Sequence, residues 1–346
     1  MIKAVHHKYI LNFKQASGTS RGILRTKETW FIVLSENNKQ GFGECGLFRG
    51  LSIDDTPNYE EKLKWVCKNI NLGLEVLLSK TIHFPSIQFG LEQAFLSLKS
   101  ANPFELFSSD FTSGKQNINI NGLIWMGDKE FMKSQIKEKL AAGFTCIKMK
   151  IGAIDFETEI DLLKSIRKEF SSQEITLRVD ANGGFTPGNA LEKLKRLSDL
   201  NMHSIEQPIK QGQWQEMAHL CEKTPLPIAL DEELIGVFTS EEKEKCIKTI
   251  KPQYIILKPS LVGGFNGSEE WISVAKKYHV GNWITSALES NIGLNAIAQW
   301  TYSLNTKLPQ GLGTGSLFTN NFKSPLTVLN GGLQYNQSKK WHFNLD

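Results

Sequence analysis

Five charged residues recur at a nearly constant interval through the middle of the chain. Lys150, Asp180, Glu206, Asp231 and Lys258 are separated by 30, 26, 25 and 27 residues. Each ends a short apolar run: IKMK, RVD, SIE, ALD and ILK. Three carboxylates brought together from such runs make a hard-oxygen site, suited to Mg2+ and compatible with Mn2+. No His or Cys ends these runs, which argues against zinc or copper. Without a cation, three carboxylates a few ångströms apart would repel strongly. The two lysines flank the acidic set. A lysine serves as a base only when burial or nearby cations pull its pKa toward neutrality. Lys148 lies two residues before Lys150, on the same face of a strand, so each ammonium is expected to disfavour protonation of the other. The chemistry such a set suits is removal of a proton α to a carboxylate, with a metal ion stabilising the enolate as it forms.

Other polar residues follow the same runs. Asn182 and Glu232 lie one or two residues beyond Asp180 and Asp231 and are expected to orient the ligands. Ser286 and Glu289 follow a seventh run, and Gly313 and Thr314 lie in a Gly-rich stretch whose amides could receive a carboxylate. Arg178, two residues before Asp180, is read equally as a structural salt-bridge partner. The histidines do not cluster, and His203 reads as a satisfied core residue rather than a catalyst.

These positions imply the elements that hold them. Apolar β-like runs at Ile118–Trp125, Cys146–Met149, Ile175–Val179, Ser204–Ile205, Ile228–Leu230, Tyr254–Leu257, Gly281–Ile284 and around Gly311 alternate with amphipathic helices. In one such helix, Phe156, Ile160, Leu163, Ile166 and Phe170 repeat at helical spacing. Fully apolar strands alternating with helices imply a parallel sheet, and eight units in roughly 200 residues suit a closed β/α barrel. In such barrels the working groups stand at the C-terminal ends of strands, which is where the five charges lie. The first hundred residues differ. Strands Val5–Phe13 and Glu28–Ser35, a polar loop Gln15–Gly22, and helical patterns over Tyr59–Leu78 and Ile87–Lys99 make an α+β module. The expected division is a module over 1–113, a barrel over 114–324, and a terminal segment over 325–346, with a hairpin from Gly331, that returns to the first module.

Composition narrows the function classes. The chain has 346 residues, 40% apolar and 22% charged, enough to pack a sizeable core. Its net charge of +4 is spread without a Lys/Arg block, which argues against nucleic acid as a partner. The five cysteines are odd in number and form no C-x-x-C pair, so reduced thiols are expected rather than a zinc or redox site. No run approaches a membrane span and no secretory leader is apparent, so a cytoplasmic enzyme acting on a small carboxylate is expected, not a membrane partner. A homo-oligomer is compatible with all of this.

The order K-x-K, D-A-N, E-Q-P, D-E, K-P resembles the muconate-lactonising subgroup of the enolase superfamily, over essentially the whole chain. Lys258-Pro259-Ser260 with Gly263-Gly264, Ser286-Ala287-Leu288-Glu289-Ser290, and Gly311-Leu312-Gly313-Thr314-Gly315 are most similar to the o-succinylbenzoate synthase family of menaquinone biosynthesis. Ala287 replaces a second Ser in the middle motif. The resemblance implies a (β/α)7β barrel with an N-terminal capping domain, and Lys150 and Lys258 as catalytic groups. It also implies Asp180, Glu206 and Asp231 as metal ligands, a mobile Ser17–Gly22 loop over the substrate, and a lyase reaction that dehydrates a cyclohexadiene carboxylate. Racemisation of N-acylamino acids or epimerisation of dipeptides on the same scaffold is the nearest alternative, with muconate-type cycloisomerisation a third. Dipeptide epimerases of the superfamily carry an Asp-x-Asp at the eighth strand, and residues 311–315 have no carboxylate, which counts against an amino-group substrate.

Overall fold

The computed structural model describes residues 1–19, 22–152 and 154–345. The chain opens with a three-stranded antiparallel sheet of β1 (Lys3–Thr19), β2 (Gly22–Glu36) and β3 (Lys39–Cys45), in that order. Alternation along β2 gives it two buried faces. Trp30, Ile32 and Leu34 pack with Leu91, Ala94 and Leu98 of the helix Pro85–Lys99. Phe31 points the other way, edge-on to Phe322 and Phe343. The helix can lie this close because glycines meet at the contact. A Cβ on Gly43 would stand 1.8 Å from the Gly90 carbonyl oxygen, and one on Gly90 would stand 2.4 Å from Cys45 Sγ.

Two expectations for this module change. In the polar segment Gln15–Gly22 the described residues are not a free loop: β1 runs to Thr19 and β2 begins at Gly22, with Ser17 opposite Leu24 and a register shift between Asn12 and Ser17. Small polar residues there leave the backbone free to pair. Ser20 and Arg21, within the loop expected to close over substrate, lie outside the described residues. The single helix expected over Tyr59–Leu78 is three pieces, Tyr59–Lys68, Ile70–Leu72 and Leu74–Lys80. Gly73, at φ +85°, makes the second break.

After a two-stranded lead, β4 (Ile118–Asn119) and β5 (Gly122–Ile124), the pattern becomes strand–helix. It continues with β6 (Cys146–Lys150), β7 (Thr176–Asp180), β8 (Ser204–Glu206), β9 (Ile228–Leu230), β10 (Tyr254–Leu257) and β11 (Gly281–Ile284). Strands β5 to β11 form one parallel sheet in sequence order, the arrangement expected of consecutive β/α units. Isolated parallel bridges join Thr285 to Gly311 and Ile120 to Gln310, so the stretch around Gly311 contacts both edges of the sheet. The helices bury one stripe each. Ile160, Leu163 and Ile166 do so in Phe156–Glu169, which is capped by Asp155, whose side chain accepts from Thr158 N. The expected run Ile118–Trp125 divides because β4 leaves the parallel sheet to pair with the terminal hairpin.

That hairpin, β12 (Leu326–Leu329) and β13 (Gly332–Tyr335), pairs through β13 with β4. The chain beyond it lies on the first module: Trp341 stacks on Phe104 at 4.6 Å and Phe343 meets Phe42 at 4.9 Å. The two halves are joined elsewhere by Glu92, which accepts hydrogen bonds from the Phe265 and Asn266 amides at the start of the helix Gly264–Lys277. All five cysteines are free. Among the described residues no helix is long and apolar enough to cross a membrane.

Candidate active site

Strand register brings the charged residues together. Lys150 pairs with Asp180, and Asp180 with Glu206, at the ends of β6, β7 and β8. Asp231 and Lys258 each follow the last residue of β9 and β10. Asp180, Glu206 and Asp231 are buried, at 0 to 2% exposure, and Lys148 and Lys150 nearly so. Above them lies a cavity of about 770 Å³. Lys148, Lys150, Asp180, Asn182 and Lys258 reach it from below, and Ser17 and Leu24 of the β1–β2 ribbon line it from above.

The ammonium groups lie between the carboxylates. Lys148 Nζ donates to Asp180 Oδ2 at 2.8 Å and to Glu206 Oε2 at 2.6 Å. Lys150 Nζ donates to Asp180 Oδ2 at 3.0 Å and to Asn182 Oδ1 at 2.7 Å. Lys258 Nζ donates to Asp231 Oδ2 and stands 4.0 Å from Glu206 Oε1. With the lysines so placed, no group of three or more His, Cys, Asp or Glu side chains among the described residues is gathered closely enough to hold an ion as it stands. The donors are nevertheless hard oxygens only, and Glu206 Oε1 is a buried acceptor that no hydrogen-bond donor reaches. That is the donor chemistry a hard divalent cation requires, in the place the ammonium groups now share.

The lysines differ electrically. Burial alone would lower Lys148, but the charges of Asp180 and Glu206 outweigh it and hold the ammonium well above the ordinary lysine value. The expected mutual effect of the two ammonium groups is therefore outweighed at Lys148, which has two carboxylate partners. Lys150 does move down: burial lowers it, with Lys148 adding to the effect and Asp180 resisting. Lys258 is raised, because Asp231 and Glu206 outweigh its burial. Burial raises Asp180 and Asp231, yet Lys148 and Lys150 hold the first below the carboxylate range, and Lys258 holds the second. Burial pushes Glu206 up to about 8, with Asp180 adding to it and Lys148 resisting. Lys150 is thus the lysine whose charged form burial disfavours, and Lys258 the one its carboxylate partners keep charged.

The remaining expected residues separate into two groups. Ser286, Gly313 and Thr314 line the cavity, with Ser286 Oγ and Thr314 Oγ1 2.6 Å apart. Glu232 Oε1 accepts from Asn182 Nδ2 at 3.0 Å. Glu289 does not line the cavity. It is fully buried, and accepts from Ser260 Oγ and from the Ala287 amide. Arg178 makes no salt bridge with the described residues; its guanidinium stacks 4.0 Å over Trp283 and donates to the Pro309 carbonyl. Burial and Arg178 push His203 down to about 4, and it pairs with Ser204 Oγ.

Sequence reasoning missed the apolar lining. Phe48 and Leu51 come from the first module, and Trp125 sits just past β5 with its ring 5.9 Å from Lys150 Nζ. The strand-end rule would have found Trp125, had it been applied to aromatic residues as well as charged ones.

Comparison with known proteins bears on this geometry. The family model described as enolase C-terminal domain-like matches residues 132–339. The o-succinylbenzoate synthase of Desulfotalea psychrophila is 47% identical over 93% of this chain and 96% of its own length. The chain belongs to the o-succinylbenzoate synthase family of the enolase superfamily. The crystal structure of MenC from the same organism superposes on this family member with a TM-score of 0.86, at 43% identity, covering 96% of this chain and 99% of that one. A dipeptide epimerase from Cytophaga hutchinsonii, solved with Mg and a dipeptide, shares the fold at TM-score 0.82 and 20% identity, covering 99% and 96%. Superfamily members are metal-dependent, and the structure of that epimerase holds Mg.

Proposed function

We propose that this chain converts 2-succinyl-6-hydroxy-2,4-cyclohexadiene-1-carboxylate to o-succinylbenzoate, a dehydration in menaquinone biosynthesis. The observation that carries this reading is the pair Lys150 and Lys258, oppositely shifted, facing one cavity from strands four positions apart over three buried carboxylates. The 47% identical synthase supports the choice of substrate.

Lys150 takes the proton from the carbon bearing the ring carboxylate. The electron pair released becomes a ring double bond as the neighbouring C–O bond breaks. Lys150 returns its proton to the departing hydroxyl, so water leaves from the face on which the proton was taken and the lysine ends neutral. Lys258, held charged by Asp231, faces the developing negative charge. Asn182 orients Lys150. We assign Asp180, Glu206 and Asp231 as the residues that would hold Mg2+, with Lys148 and Lys258 yielding their contacts. Bound there, the ion would supply positive charge to the substrate carboxylate as the proton leaves. Ser286, Gly313 and Thr314 are assigned to the substrate, and Lys148, Glu232 and Glu289 to its support.

The same reading extends to the scaffold. We infer that the strands close as a (β/α)7β barrel over 114–324, with 1–113 as the cap and 325–346 returning to it. The bridges Ile120–Gln310 and Thr285–Gly311 support closure, and the Trp341 and Phe343 contacts support the return. The deciding experiment follows diene absorbance with Mg2+ and then with a chelator. Rapid, chelator-sensitive loss is the expected result. No turnover, together with α-proton exchange of N-acylamino acids into heavy water, would move the assignment to a racemase.

A further inference from the structure

Beneath the cavity wall, away from the carboxylate floor, lies a second buried charged group shared between the two halves of the molecule. Lys27 on β2, Glu44 on β3 and Glu289 after β11 are all buried. Among the described residues the Lys27 ammonium has no hydrogen-bond partner, and it is flanked by the charges of Glu289 and Glu44. Such an ammonium is tolerated in a dry interior only where fixed negative charge surrounds it.

The two glutamates have different tasks. Glu44 crosses from the cap to the barrel. It accepts from Thr29 Oγ1 at 2.8 Å, and from Ser290 N, Ser290 Oγ and Gly293 N at 2.9, 2.6 and 2.9 Å, at the start of the helix Asn291–Ser303. A carboxylate at a helix N-terminus is favourably placed. Glu289 holds residues that neighbour the site. Its Oε1 accepts from Ser260 Oγ at 2.5 Å, and its Oε2 from Ala287 N at 2.7 Å. Ser260 stands two residues past Lys258, in the short helix Pro259–Val262 that Lys258 begins. Ala287 and Leu288 line the cavity, and Leu288 is held at φ +63°. The cap presses directly on this contact: a Cβ on Gly46 would lie 3.0 Å from Glu289 Oε1 and 3.1 Å from Ser260 Cβ. On the cap side, Lys27 is three residues from Leu24, which also lines the cavity and packs in the same apolar cluster as Leu288.

We propose that Lys27 and Glu289 are positioning residues: through them the capping sheet fixes Ser260, and hence Lys258, against the substrate, and locks the Ala287–Leu288 wall beside Leu24. Neither residue touches the reacting atoms. The inference rests on the reading of Lys258 as a catalytic group.

The test compares Lys27→Met, Lys27→Arg and Ser260→Ala with wild type and Lys258→Ala, by kcat, KM, the pH profile of kcat, and thermal melting. Lys27→Met should lower kcat by about ten- to a hundredfold, as loss of an outer-shell partner does, with KM changed far less. The limb of the profile set by Lys258 should shift, and Lys27→Arg should restore most of the rate. Ser260→Ala, which leaves every buried charge in place, should reproduce the kcat loss and the shifted limb in a folded protein. It decides the matter if Lys27→Met does not fold. Folded Lys27→Met or Ser260→Ala enzymes with wild-type kcat and profile, beside an inactive Lys258→Ala, would overturn the positioning role and leave Lys258 its own. An active Lys258→Ala would instead remove the reading on which both stand.

Discussion

Lys150 Nζ donates to Asn182 Oδ1 at 2.7 Å, from a neighbouring strand end, and Asn182 is itself held at φ +44°. Asn182 also donates to Glu232, so its amide cannot turn without breaking a second contact. An acceptor on an ammonium favours the charged form, while burial favours the neutral one. The balance leaves Lys150 below its ordinary value. Activity should therefore rise with pH as Lys150 loses its proton, over a range below that of a free lysine, and persist until the raised Lys258 titrates. Asn182→Ala removes the acceptor. Its rising limb should move to lower pH, and its kcat should fall about ten- to a hundredfold through lost orientation. A rising limb unmoved in the variant would separate Asn182 from Lys150.

Replacement of either lysine tests the assignment most directly. Lys150→Ala and Lys258→Ala should each lower turnover by at least about a thousandfold, near the upper range for an acid–base group. Circular dichroism should still report the native fold, because both side chains face the cavity. A Lys150→Ala enzyme within tenfold of wild type, on the scale of general acid–base effects, would sink the acid–base role.

The acidic floor predicts a metal dependence with its own readout. Asp180 contacts both Lys148 and Lys150 and is the residue nearest the cavity among the three carboxylates assigned to the ion. Calorimetric titration of Mg2+ should show Asp180→Asn binding more than about a hundredfold more weakly, since a first ligand matters more than its support. Unchanged affinity would take Asp180 out of the ligand set.

Lys150, Asp180, Glu206, Asp231 and Lys258 were legible in the sequence for a physical reason. One β/α unit occupies roughly 25 to 30 residues here, so charges at one phase of successive units converge on one end of the sheet. The direction of the Lys148 shift was not legible. It depends on two carboxylates reaching across adjacent strands, a matter of side-chain geometry rather than spacing. The Lys27–Glu44–Glu289 group was hidden more deeply, because Lys27 and Glu289 come from different modules and meet only when the cap docks. The small residues of Gln15–Gly22 suggest a loop, but such residues also pair as strand when a neighbour offers an edge, as Ser17 does with Leu24.

The docking of the cap carries a pH signature away from the site. Glu92, on the helix Pro85–Lys99, receives the amides of Phe265 and Asn266 and is largely buried. Burial pushes its pKa from 4.5 up to about 7, against those two hydrogen bonds. A carboxyl whose folded pKa lies above its unfolded one binds its proton more tightly in the folded state. Its contribution to stability is therefore complete below pH 4.5 and is lost as pH rises toward 7, at a slope of at most about 1.4 kcal/mol per pH unit. Glu92→Gln removes that dependence. The variant should match wild type best at low pH, where Glu92 is protonated, and gain on it as pH rises from 5 to 7, an effect of order 1–3 kcal/mol read from the two melting curves. A constant difference across that range would mean that the paired amides, aided by the helix dipole, keep Glu92 ionised in the folded protein throughout.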